Sequence, residues 1–184
     1  IGPDGTLDSL DANKANRVFL DEKGNLWYGK GFFPLLKREE QGDLQFFLTD
    51  GPGGSDAWSV SVQDQTLYVT AGGYGDNFSA TFNPTGFYKR NPDGSWRNYN
   101  RLNSDSLARL DIRDFVNIAA DPQRDRFFAA SFENGLVSYR NGEFFRHYTP
   151  QNSGLSFARI AGGRFLRVAD VTFDQEGNLW MTNN

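Results

Sequence analysis

The sequence predicts an all-β fold, part of a β-propeller of about three and a half four-stranded antiparallel blades. Two observations carry that expectation: a phrase that recurs at blade-like spacing, and a second hairpin after each of its first three occurrences. Composition agrees. Aromatic residues make up 15% of the 184 residues, Phe alone contributes 17, and 20 Gly are spread along the chain, which suits short strands joined by frequent turns.

The phrase Asp21-Glu22-Lys23-Gly24-Asn25-Leu26-Trp27 returns as Asp174-Gln175-Glu176-Gly177-Asn178-Leu179-Trp180, behind Val18-Phe19-Leu20 and Val171-Thr172-Phe173. Two degenerate copies lie between them, so an aromatic anchor falls at Trp27, Tyr68, Phe128 and Trp180, with spacings of 41, 60 and 52 residues. A propeller blade takes roughly 40–50 residues. Within the phrase the Asp ties a tight turn, Gly24 or Gly177 takes a positive φ, and the next strand begins. Trp27 and Trp180 are expected to supply apolar surface to the contact between blades. Asp21, Gly24, Trp27, Asp174, Gly177 and Trp180 are therefore read as structural.

The first blade, 17–49, is expected to hold strands near 17–21 and 25–29, then a hairpin of 32–37 and 44–48 about Gln41-Gly42-Asp43. The second, 57–99, has strands near 57–62 and 66–71 and a hairpin of 86–90 and 95–99 about Asn91-Pro92-Asp93-Gly94. The third, 114–148, has strands near 114–120 and 126–131 and a hairpin of 135–140 and 143–148 about Asn141-Gly142, a strong turn signal. The fourth, 167–184, supplies only strands near 168–173 and 178–182. A four-stranded sheet cannot bury both faces alone, so neighbouring units must stack. Connectors carry apolar wedges at Leu7 and Leu10, Leu107 and Leu110, and Leu155 and Phe157. The segment 106–115 scores as a short helix, but its position matches the other connectors and it is read as one. A cut at Asn184 would leave an unpaired sheet edge, so the segment is expected to belong to a longer chain.

Several function classes are disfavoured. The net charge is −4 and the 19 basic residues are scattered among 23 acidic ones, so no stripe forms to neutralise a nucleic acid. The absence of Cys excludes disulfides and thiolate chemistry. His147, the only histidine, sits in an outer-strand pattern, and a transition-metal site is not expected. Asp50, Asp56, Asp76 and Asp111 are carboxylates suited to Ca²⁺, but no continuous Asp/Asn ladder links them, and no metal or cofactor is assigned. No apolar run approaches the roughly 20 residues of a membrane span. The chain starts at Ile1, and any signal peptide is expected to have been removed or to lie outside it. No catalysis is expected, because the residues at the starts of the inner strands are mainly apolar or small.

Two segments depart from the repeat. The insertion 72–84 combines glycines with Tyr74, Asp76, Asn77 and Phe78. Such a loop either packs on its own blade or binds a ligand, since loops on rigid scaffolds are where binding residues accumulate. The second is the basic, glycine-containing connector 159–167, with Arg159 and Arg164 as candidate partner-binding groups. Gly72-Gly73-Tyr74-Gly75 is not a phosphate loop, because no Lys-Ser/Thr follows it.

The repeated Asp-x-x-Gly-Asn-Leu-Trp, with Gly135-Leu136-Val137-Ser138-Tyr139 and Tyr148-Thr149-Pro150-Gln151-Asn152-Ser153-Gly154-Leu155, resembles the two-component-regulator type of propeller repeat over essentially the whole chain. Arg167 to Asp174, Trp180 to Asn183 and the long spacings look more like PorZ-type proteins. That resemblance implies an exported protein at the outer-membrane surface or in the periplasm, an accessory of type IX secretion and cargo attachment. Its partner would be a sortase-like or other secretion protein, or a glycan or lipopolysaccharide. The alternatives are a periplasmic glycan-sensing propeller of a hybrid two-component sensor and a secreted adhesin or cargo propeller. The middle copies lack Gly-Asn-Leu-Trp, and no ligand residue of the family maps onto this chain.

Overall fold

The computed structural model describes residues 17–29, 35–39, 44–47, 50–160 and 163–183, in two compact units, Ile1–Thr49 and Asp50–Asn184. The first unit is one antiparallel meander of β1 (Arg17–Leu20), β2 (Leu26–Gly29), β3 (Leu35–Arg38) and β4 (Leu44–Phe47). The β1–β2 turn gives the recurring phrase its physical content. The Asp21 carboxylate accepts from the backbone N–H of Lys23 (3.0 Å) and Asn25 (2.8 Å), from Asn25 Nδ2 (2.8 Å) and from the Trp27 indole N–H (2.9 Å). Gly24 closes the turn at φ 80°, in the left-handed region glycine enters freely. These donors, the indole foremost, hold the Asp21 carboxyl well below the usual carboxylate range.

The second unit opens with a meander of the same order: β5 (Ser59–Gln63), β6 (Thr66–Thr70), β7 (Phe87–Arg90) and β8 (Trp96–Tyr99). Another follows in β9 (Phe115–Ala120), β10 (Arg126–Ser131), β11 (Gly135–Arg140) and β12 (Glu143–Tyr148). The strand pair β15 (Val168–Phe173) and β16 (Leu179–Asn183) comes last. Its turn repeats the first: Asp174 accepts from Glu176 N, Asn178 N, Asn178 Nδ2 and the Trp180 indole N–H at 2.8–3.0 Å, and Gly177 has φ 83°.

Two expectations need correction. The segment read as connector before the third unit contains a helical turn, α1 (Asp105–Arg109), capped by Ser104, whose side chain accepts from Leu107 N. Its buried Leu107 joins the core. The second basic connector folds into a hairpin of β13 (Ala158–Ile160) and β14 (Gly163–Phe165). The tryptophan anchors also brace their own turns, each indole N–H donating to the Asp of its phrase. Trp27 packs within its own sheet, its ring 5.0 Å from that of Phe47. Trp180 is 62% exposed, and its indole is committed to the Asp174 turn.

The two cores follow from strand alternation, in which successive side chains point to opposite faces. On β10, Phe127 and Ala129 enter a cluster with Tyr68, Phe87 and Tyr99 of the preceding sheet and with Leu107 and Ile112. Phe128 and Ala130 enter the opposite cluster with Leu155, Leu166, Val168 and Val171. The β9–β15 sequence therefore places one sheet between two neighbours, which explains the near-continuous burial of β10 and β11. A register shift opposite Ala130 and Ser131 lets Phe115 and Ile118 share a face despite their odd spacing. Polar groups stitch the inner strands together: Thr70 Oγ1 donates to Val116 O (3.2 Å), Ser61 Oγ to Ile118 O (3.3 Å), and Gln63 Oε1 accepts from Ala120 N (3.2 Å). Three backbone groups of β9 are thus satisfied by side chains of the adjacent sheet, and Phe115 O accepts from the backbone N–H of Gly72 in the insertion at 3.0 Å.

Candidate functional site

The insertion 72–84 is a built loop, anchored on a residue that is 0% exposed, Asp114. Its carboxylate accepts from the Thr81 hydroxyl (2.6 Å), Phe82 N (2.9 Å) and Asn83 N (2.7 Å). The Asp114 backbone continues the tie, with its N–H donating to Asn83 O and its carbonyl accepting from Phe132 N. Within the loop, Gly75 N and Phe78 N close a turn on Ser79 O and Gly75 O at 2.8 Å, and Tyr74 bridges to Ala80. Gly73 is required by close approach: a Cβ there would meet the Trp58 ring at 2.7 Å.

Tyr74 is the hub. Its ring lies 4.8 Å from Trp58, 5.6 Å from Phe78 and 4.5 Å from Phe132. Phe78 is held at φ 56° and is 61% exposed. A bulky residue in the left-handed region costs about 1–3 kcal/mol and persists only where its surroundings impose it. Asp76 and Asn77 are exposed at the tip, where Asn77 Oδ1 accepts from Ser79 N at 3.3 Å.

From the other side comes Arg167, just after β14. Its guanidinium sits 4.7 Å from the Phe132 ring and 5.2 Å from the Phe165 ring, and it pairs with Glu133 at 3.4 Å. Burial raises the Glu133 carboxyl from its ordinary value, opposed by the Arg167 charge. Phe78, Phe132, Arg167, Ala169 and Thr182 enclose a recess of about 240 Å³. The two segments that depart from the repeat thus meet around Phe132 and Arg167. Arg159 and Arg164 are exposed and directly opposite each other on the β13–β14 hairpin. Like charges so placed repel.

Sequence reasoning missed Phe132, Glu133 and Asp114 as site residues and took in Arg167 only as the end of the basic connector. Phe132 and Arg167 are 35 positions apart and are joined by the Asn134–Leu166 bridge and the Gly135 N–Leu166 O bond of 2.8 Å. The only local signal was the absence of any carboxylate between Glu143 and Asp170, a stretch that holds four Arg.

The remaining candidate groups are engaged elsewhere. His147 donates from Nε2 to Asn134 O at 2.6 Å, since a carbonyl only accepts. Asp50 accepts from Trp96 N, and Asp111 pairs with Arg101 and Arg113. Among the described residues no three His, Cys, Asp or Glu side chains converge. Among the described residues no helix is long and apolar enough to cross a membrane.

No family model matches the chain, and no curated protein matches it. Among solved structures, 91% of the chain superimposes on PorZ, an essential bacterial surface component of the type IX secretion system of Porphyromonas gingivalis, with a TM-score of 0.59 and 23% identity. The chain shares its fold with a stretch of PorZ. It spans 23% of the length of the PorZ chain, and at this identity the likeness is one of fold. The extracellular domains of two hybrid two-component systems of B. thetaiotaomicron also match, each at a TM-score of 0.45. They are 14% and 13% identical over 98% and 95% of this chain, and the match spans 22% and 20% of theirs.

Proposed function

We propose that this chain is part of a β-propeller that acts as a non-catalytic binding and scaffolding module of an exported protein, an accessory of type IX secretion and cargo attachment at the cell surface. The observation that carries the reading is the shared fold with PorZ over 91% of the chain, joined to the repeated Asp-x-x-Gly-Asn-Leu-Trp turns. The stacked sheets supply rigidity, and the tied loop 72–84 and the hairpin 158–165 supply surface that the core does not need. Loops presented on a rigid scaffold suit recognition of a partner at little ordering cost. The partner is a secretion protein of the sortase-containing machinery or a surface glycan or lipopolysaccharide.

Deletion of the gene in its native host tests this. Cargo proteins should remain uncleaved or unattached at the cell surface, and complementation should restore them. Normal cargo processing and attachment in the deletion strain would sink the reading. So would a membrane helix and kinase domain encoded downstream in the same open reading frame, which would make the protein a sensor.

A further inference from the structure

We infer that the recess between Phe78, Phe132 and Arg167 is a docking pocket for one Leu-, Met- or Phe-sized side chain of a protein partner, on a segment whose neighbouring residues are acidic. The inference rests on the binding reading above and names the partner chemistry of its surface. Size decides against a small organic ligand: pockets for such molecules run to about 300–1,000 Å³, and this one is about 240 Å³. Lining decides against a sugar ring, which needs several convergent polar groups. Here the walls are Phe78, Phe132 and Ala169, with only the Thr182 hydroxyl and an Arg167 already paired to Glu133. A single apolar anchor in such a pocket is the usual form of an interface hot spot.

Pre-organisation points the same way. Tyr74 stacks behind Phe78, and the 75–79 turn fixes Phe78 at positive φ with its ring facing solvent. An aromatic held outward in this way loses little further freedom on binding. Charge supplies the rest of the specificity. Arg159 and Arg164 are exposed and paired side by side, in a stretch between Glu143 and Asp170 that carries four Arg and no carboxylate. Arg164 is three residues from Arg167, at most about 10 Å along an extended chain. An acidic flank on the partner would relieve the repulsion between the two guanidinium groups and steer the approach.

The test is titration of the full-length protein with the peptide N-acetyl-Asp-Glu-Phe-Asp-Glu-amide, against the same peptide with Ala for Phe and against N-acetyl-Gly-Gly-Phe-Gly-Gly-amide. The acidic Phe peptide should bind at least about tenfold more tightly than its Ala counterpart. Ala169→Trp, which fills the recess, and Phe78→Ser, which removes its wall, should each cost about tenfold or more at unchanged melting temperature. Arg159→Glu with Arg164→Glu should weaken the acidic peptide and leave the neutral Phe peptide unaffected. Equal binding of the Phe and Ala peptides, or binding indifferent to both pocket variants, overturns the proposal. So does Ala169→Trp-sensitive binding of oligogalacturonate in place of the peptide, which would assign the recess to an anionic sugar. Absent peptide binding alongside defective cargo attachment in the deletion strain rejects the pocket alone. Peptide binding with normal cargo attachment rejects only the secretion role.

Discussion

Asp114 is the residue whose removal should be felt most sharply at the insertion. Asp114→Ala deletes the acceptor for two backbone N–H groups and one hydroxyl while leaving those donors in place. Hydrogen bonds to a charged group contribute about 1.5–3 kcal/mol each, and a buried donor left without a partner adds its desolvation cost. The three bonds share one carboxylate and are not additive, so the expected loss is about 3–5 kcal/mol. For a domain of this size that lowers the melting temperature by roughly 6–20 °C. Asp114→Asn retains one acceptor oxygen and tolerates the φ of 48° at this position, so it should lie between the two. Urea denaturation gives the stability change, and amide exchange at Phe82 and Asn83 localises it. A loss under about 1 kcal/mol, or unchanged exchange at those two amides, would refute the anchoring role.

Three further outcomes follow from the geometry. The Asp174 carboxyl is held down to about 2 from 3.8 by the Trp180 indole and Asn178; stabilisation from such a group is present above the unfolded pKa and lost as pH falls through the folded one. The Trp180 indole N–H resonance should accordingly stay constant from neutral pH to near 3 and move close to pH 2, and a midpoint at 3.8 or above would count against the cage. Gly86 has φ 85°, and a Cβ there would lie 1.9 Å from Tyr99 O, so Gly86→Ala should destabilise by more than about 1 kcal/mol, whereas Gly154→Ala, with open space around it, should stay within about 0.5 kcal/mol. Phe127→Ala should cost about 3–5 kcal/mol in calorimetry, because its ring contacts Tyr68, Phe87, Tyr99 and Tyr139; a cost near that of the exposed Phe82→Ala would show that the two sheets do not share this core.

The strand pairs were legible because two signals coincide in them: apolar alternation with period two, and turn residues whose chemistry is local, such as Asn141-Gly142 and the two Asp-x-x-Gly-Asn phrases. The single turn of α1 showed a helical signal, but its position matched the other connectors, and five residues are too few to outweigh that. The hairpin 158–165 was hidden because Arg159-Ile160-Ala161-Gly162-Gly163-Arg164 shows no alternation. The indole N–H groups that reach the Asp21 and Asp174 carboxylates are invisible in the residue pattern. The site was legible only in halves. Tyr74 and Phe78 stand out in an inserted loop, and Arg159 and Arg164 in a basic connector. Their meeting at Phe132 and Arg167 depends on a bridge between segments more than 30 residues apart, and Asp114 looked like the first residue of a strand.

The measurement that tests the central claim most directly is an experimental structure of the full-length protein. The account predicts that β5, β9 and β15 line one side of a common central channel, that a further strand pairs with the outer edge of β16, and that a neighbouring sheet covers the face bearing Trp180. Sheets arranged as a two-layer sandwich, or β5 and β9 facing away from any shared axis, would contradict it.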